Sequence, residues 1–153
     1  LVIREENSYE GECAIALENA AAAAKSAGKE PVSFHFPLNQ NPDGEWEADQ
    51  ADFIRQLLQA VQSGKDKNLI ALGFHWALAE TVLTVCRKIR EESGENRVAL
   101  SGGVFANLIL LQDCFDQLTS DGFKVFLNSA VPSNDGGICL GQAWLCAQTD
   151  SPL

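Results

Sequence analysis

No two of the five cysteines in this 153-residue chain are spaced as C-x-x-C, and their number is odd. Cys13, Cys86, Cys114, Cys139 and Cys146 stand far apart, which argues against a disulfide framework or a zinc knuckle and for a reducing, cytoplasmic setting. Each sits in an apolar helical context, so each is expected to be a small buried hydrophobe. Basic residues are also scarce: 11 against 21 acidic ones, for a net charge of −10 and no basic patch. Such a chain is a poor nucleic-acid binder on its own. No uninterrupted apolar run nears the roughly 20 residues that span a bilayer, and no signal-peptide pattern opens the chain, so no membrane contact is expected. Internal repeats and low-complexity linkers are missing, and the length fits one domain. The chain starts at Leu1 and not at a methionine, in what reads as a strand or loop, so a fragment of a longer protein is expected.

What is present is an apolar composition, 46% hydrophobic, cut into helices and short strands. Leu1-Val2-Ile3 reads as an edge strand. Asn7 and Glu10 have capping-box character, and a helix is expected over residues 9–27, ending at Gly28. It is alanine-rich, which lets it lie close to a neighbour. Gly11 in its first turn marks either a close approach or a frayed turn. Residues 32–36 alternate and read as a strand. The turn at 41–44 returns the chain into a second strand over 45–48. Asp49 caps a helix over 50–62, with Phe53, Ile54, Leu57, Leu58 and Val61 on one stripe. A longer helix is expected over 68–92. His75 shares a face there with Ala79, Val82 and Cys86, which reads as a satisfied core histidine. No second histidine stands at i+4, so a helical metal pair is absent.

The organising stretch runs from Val98 to Asn107. A strand over 97–100 enters it, Gly102 and Gly103 turn it, and a helix over about 104–118 leaves it. No lysine follows the glycines, which excludes the Walker pattern, and G-x-G-x-x-G is absent too. A strand over 124–127 completes a βαβ unit whose crossover should be right-handed if the strands are parallel. Asn134-Asp135-Gly136-Gly137 then opens a last helix over 136–147, with Gly137 and Gly141 placed for close packing, and 150–153 read as a loose tail. In an α/β fold both glycine turns would lie at one sheet edge, at two helix N-termini that favour an anion such as a phosphate. A ligand-free β–α turn has the same pattern. Asp135 reads either as a metal ligand beside that anion or as a helix N-cap. Asn107 reads either as a ribose or base contact or as a side chain bonding local backbone.

Four segments, in order, resemble the hydrogenase maturation carbamoyltransferases of the HypF family: Tyr9-Glu10-Gly11-Glu12 through Glu18, Phe74-His75-x-x-Leu78-Ala79, Leu100-Ser101-Gly102-Gly103-Val104-Phe105-x-Asn107, and Pro132-x-Asn134-Asp135-Gly136-Gly137 through Ala143. The resemblance covers nearly the whole chain. It implies the C-terminal part of a Kae1-like domain over 1–153, an α/β lobe of the actin/Hsp70/sugar-kinase (ribonuclease H-like) fold, with a mixed sheet and packed helices. That family uses carbamoyl phosphate and ATP to form carbamoyl-adenylate. It then carbamoylates the C-terminal cysteine of a partner maturation protein, on the way to the nickel–iron hydrogenase. By likeness, Gly102, Gly103, Asn107, Gly136 and Gly137 would contact nucleotide, Gly11 would lie near the ribose with Glu18 assisting, and Asp135 would bind a divalent metal (iron, magnesium or zinc). No catalytic residue follows from the likeness.

The departures are the family's His-x-x-x-His pair, its zinc-finger-like segment and its adenylate-forming and acylphosphatase-like domains, none of which is in these residues. Related nucleotide sites also carry an acid closer to the glycine than Glu18 stands to Gly11. One lobe of a two-lobed cleft is implied, folding but not turning over by itself, and partnered by the other lobe and domains of the same protein. A tRNA threonylcarbamoyl- or O-carbamoyl-transferase lobe, or a non-catalytic nucleotide-sensing or partner-binding module, are the alternatives.

Overall fold

A computed structural model describes Ile3 and residues 6–148. The expected strand at 1–3 and the tail at 150–153 lie outside the described residues, apart from Ile3. The elements are α1 (Glu12–Ser26), β1 (Leu38–Gln40), β2 (Trp46–Ala48), α2 (Gln50–Gln62), α3 (Lys67–Ser93), β3 (Arg97–Leu100), α4 (Leu108–Ser120), β4 (Lys124–Leu127) and α5 (Ile138–Gln148). Single 3₁₀ turns over Gly103–Ala106 and Asp135–Gly137 precede α4 and α5.

Helix α3 is the hub. Asp66 caps it through Asn68 N–H, and Gly94 ends it in the left-handed conformation (φ 73°). Its residues enter three apolar clusters: Ala71 and Leu72 meet Ala21 and Ala24 of α1, Ile70 and Ala77 meet Phe34 and Phe53, and Ala79 joins Leu100, Leu110, Cys114, Leu118 and Phe123. A helix apolar on several sides has to be enclosed. Its most apolar 18-residue window has a mean hydropathy of 1.6, enough by length and composition to cross a membrane. That corrects the expectation that no such stretch exists. In this fold 39% of that window is buried against neighbouring elements. The alanine run of α1 lets that helix close on α3, with Ala21 and Ala24 buried, and Lys25 Nζ reaches Asp113 Oδ1 of α4 at 2.5 Å.

The strands form two separate pairs. β1 and β2 are antiparallel, Leu38 opposite Ala48. β3 and β4 are parallel, Arg97 opposite Lys124 through Leu100 opposite Leu127. Their carboxyl ends therefore lie side by side, as the βαβ reading requires.

Several expectations change. Residues 32–36 form no strand with any of the described residues. Val32 N–H instead donates to Leu69 O (3.1 Å), because the segment crosses α3 at Gly73. A Cβ on Gly73 would stand 2.0 Å from Val32 O. The Asn7–Glu10 capping box is absent. Ser8 N–H and Oγ both donate to the Glu12 carboxylate (2.6 and 2.8 Å), and Gly11 is the N-cap with φ 83°. No described atom of the chain lies within 4 Å of a Cβ placed on Gly11, so within the chain it is the left-handed conformation that demands glycine. The α2 stripe is half exposed: Phe53 is buried, whereas Ile54, Leu58 and Val61 face outward. Of the cysteines only Cys114 is buried; Cys13, Cys139 and Cys146 are exposed. In α5 no residue is buried, and no described atom lies within 4 Å of a Cβ placed on Gly141.

Candidate functional site

Two depressions flank the Gly102–Gly103 peptide. The first, about 320 Å³, is lined by Gly11, Ala14, Ile15 and Glu18 from α1 and by Gly103, Val104, Ala106 and Asn107 from the turn before α4. The second, also about 320 Å³, lies between the two glycine turns and is lined by Ser101, Gly102, Asn128, Pro132, Ser133, Asn134, Asp135, Gly137 and Ile138. Gly102 N–H donates to Ser133 O at 2.8 Å, which clamps one glycine turn to the other. Gly102 holds φ 105°, open to glycine and strained for other residues.

The predicted residues thus fall into two adjacent groups. Gly11, Glu18, Gly103 and Asn107 share the first cleft, and Gly102, Asp135 and Gly137 share the second. Gly136 lies in the 3₁₀ turn beside them. The expectation that two bare helix N-termini face an anion does not hold. A 3₁₀ turn separates Gly103 from α4. At the α4 N-terminus, Leu108 N–H already donates to Glu18 Oε1 (2.7 Å) and Leu110 N–H to Asn107 Oδ1 (2.9 Å). A carboxylate there complements the helix dipole and uses its capacity for an anion. At the second turn Gly136 N–H donates to Asn134 Oδ1 (3.0 Å) and Gly137 N–H to Asn134 O (2.9 Å). Asn134, not Asp135, is the cap.

The local-backbone reading of Asn107 is therefore observed, and more besides. Its Nδ2 stands 2.8 Å from Nε2 of His75, whose Nδ1 is 2.7 Å from Ala71 O. His75 is a satisfied core histidine, as read, but one tied to the rim of the cleft. The sequence signal for that tie was thin, a lone histidine on an apolar helix face.

Asp135 is exposed, and its polar neighbours in the depression (Ser101, Asn128, Ser133, Asn134) carry hydroxyl and amide groups, beside the apolar Pro132 and Ile138. The oxygen donors on that polar side are of the kind a hard divalent cation takes. Among the described residues no group of three or more His, Cys, Asp or Glu comes together, so Asp135 fits one arm of a metal site and no more. Among the described residues no lysine or arginine lines either cleft. A wider depression of about 530 Å³ lies elsewhere, between the region of β1 and α3, lined by His35, Glu80, Arg87 and Lys88. Its cations are engaged, Arg87 by Asp121 and Lys88 over the Trp46 ring at 3.6 Å. No predicted residue is there.

Residues 1–142 match the family described as carbamoyltransferase, Kae1-like domain, second subdomain. The chain is 34% identical over 139 residues to carbamoyltransferase HypF of Synechocystis sp., covering 90% of this chain and 16% of that protein. It is 34% identical over 142 residues to a carbamoyltransferase HypF homolog of Cupriavidus necator, covering 91% and 35%. Among solved structures, full-length HypF in a phosphate- and nucleotide-bound form superposes with a TM-score of 0.84 at 31% identity, over 97% of this chain and 19% of that one. HypF of T. kodakarensis does so with a TM-score of 0.78 at 31% identity, over 95% and 18%. The chain thus spans a minor part of each relative.

Proposed function

The chain belongs to the carbamoyltransferase family of Kae1-like domains as a second subdomain, and we propose that it forms one wall of the nucleotide site of a HypF-type enzyme. In this reading the whole protein is cytoplasmic. It uses carbamoyl phosphate and ATP, through carbamoyl-adenylate, to carbamoylate the C-terminal cysteine of a hydrogenase maturation partner. The subdomain meets its other lobe and domains across the two clefts.

One observation carries the reading. Gly11, Glu18, Gly103 and Asn107, drawn from segments far apart in sequence, line a single cleft. That cleft has a division of chemistry suited to a nucleoside. Ala14, Ile15, Val104 and Ala106 offer an apolar wall. Glu18 offers a carboxylate that accepts from ribose hydroxyls, and Gly11 and Gly103 leave room for close approach. The phosphates would extend toward Asp135, whose charge opposes theirs unless a divalent cation lies between. The cation would supply charge neutralisation there, with Asp135 holding one of its positions and the remaining ligands coming from outside this chain.

The test is a titration of backbone amides with ATP and Mg²⁺. Shifts are expected to cluster at Gly11, Gly103, Asn107, Gly136 and Gly137. Shifts confined to the depression around Arg87 and Lys88 would place the nucleotide elsewhere and overturn the reading.

A further inference from the structure

We propose that His75 is a positioning residue that fixes the orientation of the Asn107 amide, so that Asn107 meets its ligand as a hydrogen-bond donor. This rests on the reading that the Gly11–Asn107 cleft holds a nucleotide.

His75 is 1% exposed and lies in α3, behind the cleft wall. Its Nδ1 faces a backbone carbonyl, Ala71 O, at 2.7 Å. A carbonyl only accepts, so Nδ1 carries the proton. In the neutral ring Nε2 then has a lone pair, and it accepts from Asn107 Nδ2 at 2.8 Å. The other end of the amide is fixed independently, since Asn107 Oδ1 accepts from Leu110 N–H at 2.9 Å. Flipping the amide would set Nδ2 against that N–H and Oδ1 against the Nε2 lone pair. Two repulsions forbid it, and both anchors trace to backbone groups that cannot reverse.

An asparagine amide has two N–H groups. One is spent on His75, and the second remains for a ligand. Glu18, on the same cleft, is acceptor-only when ionised. A hydroxyl can donate to Glu18 and accept from Asn107 together, which is the pairing a ribose diol provides. His75 touches no ligand in this scheme and acts only through Asn107.

The experiment uses the full-length enzyme that carries this subdomain, with ATP as the probe. Asn107→Ala and His75→Leu are each expected to raise the KM for ATP about tenfold, the worth of one net hydrogen bond, with kcat little changed. His75→Gln is expected to recover most of the loss, because its Oε1 accepts the same N–H. The double variant is expected to be no worse than Asn107→Ala. If Asn107→Ala leaves the KM unchanged, the nucleotide reading of the cleft fails, and this proposal with it. If Asn107→Ala raises the KM but His75→Leu does not, or the two effects add, positioning fails while the nucleotide reading stands. Should His75→Leu not fold, the ¹⁵N shifts of the His75 ring in the unmutated protein decide. Protonated Nδ1 with bare Nε2 supports the proposal, and the opposite tautomer overturns it.

Discussion

At the scale of single residues, Glu18 does structural work whatever else it does. Its carboxylate holds Leu108 N–H across two helices, so Glu18→Ala should cost about 1 kcal/mol in urea denaturation, the usual worth of a helix cap. The glycines separate by role. A Cβ at Gly73 would sit 2.0 Å from a backbone oxygen, and Gly73→Ala should destabilise by about 2–3 kcal/mol, an overpacking cost. Gly103 has open space at its Cβ position. Gly103→Val should therefore change stability by less than about 1 kcal/mol while blocking ATP in a binding titration. Burial, with help from neighbouring Asp113, pushes the Cys114 thiol up to about 11, so alkylation at neutral pH should label exposed Cys13 and Cys139 well before it. Residue types at the cleft were legible in the sequence, because glycines and an acid in a resembling order mark backbone that must turn. Their partners were not. That Glu18 caps α4, and that Asn134 and not Asp135 caps the second turn, depends on contacts between segments that sequence periodicity does not encode.

At the scale of elements, α2, β3 and β4 stand at the residues expected, since capping residues, apolar period and glycine stops agree there. Residues 32–36 have a strand's alternation without a strand's partner. The alternation records burial of Phe34 beside Phe53 (ring centroids 6.0 Å apart) and not a ladder. α5 has the opposite fault: its composition is that of a core helix, yet Ile138, Leu140, Trp144 and Leu145 are all exposed. Its amides should exchange with solvent far faster than those of α3 in this chain alone, as measured by hydrogen exchange. Protection equal to α3 would contradict that. Asp121 joins elements: Arg87 and Arg90 of α3 both donate to it, and those hydrogen bonds hold its carboxyl below the usual range. A lowered folded value stabilises above the ordinary aspartate range, and that contribution is lost as pH falls through the lowered value. Glu95, held at about 2 chiefly by Arg97, acts in the same sense. Stability should decline below about pH 4.5, and Asp121→Asn should flatten that decline in an acid titration of unfolding.

At the scale of the molecule, the chain spans 16% of one curated relative and 35% of another, and its clefts are open walls. The single carboxylate at the second cleft belongs to that larger arrangement. Asp135→Ala in the full-length enzyme should abolish carbamoyl transfer to the partner thiol while leaving the melting temperature unchanged, because Asp135 is exposed and caps nothing. Undiminished transfer would refute a metal role.

The bond between Glu18 and Leu108 spans 90 positions in the chain. That separation ties the cleft to the history of folding. Helices α3 and α4 and the parallel strand pair are built from segments close in sequence, whereas α1 closes the wall across a separation of 90 residues. A nascent or half-collapsed chain has no such wall to offer. Nucleotide capture through this surface would therefore report on the docking of α1 against α4, since only a chain that has made this contact presents the wall.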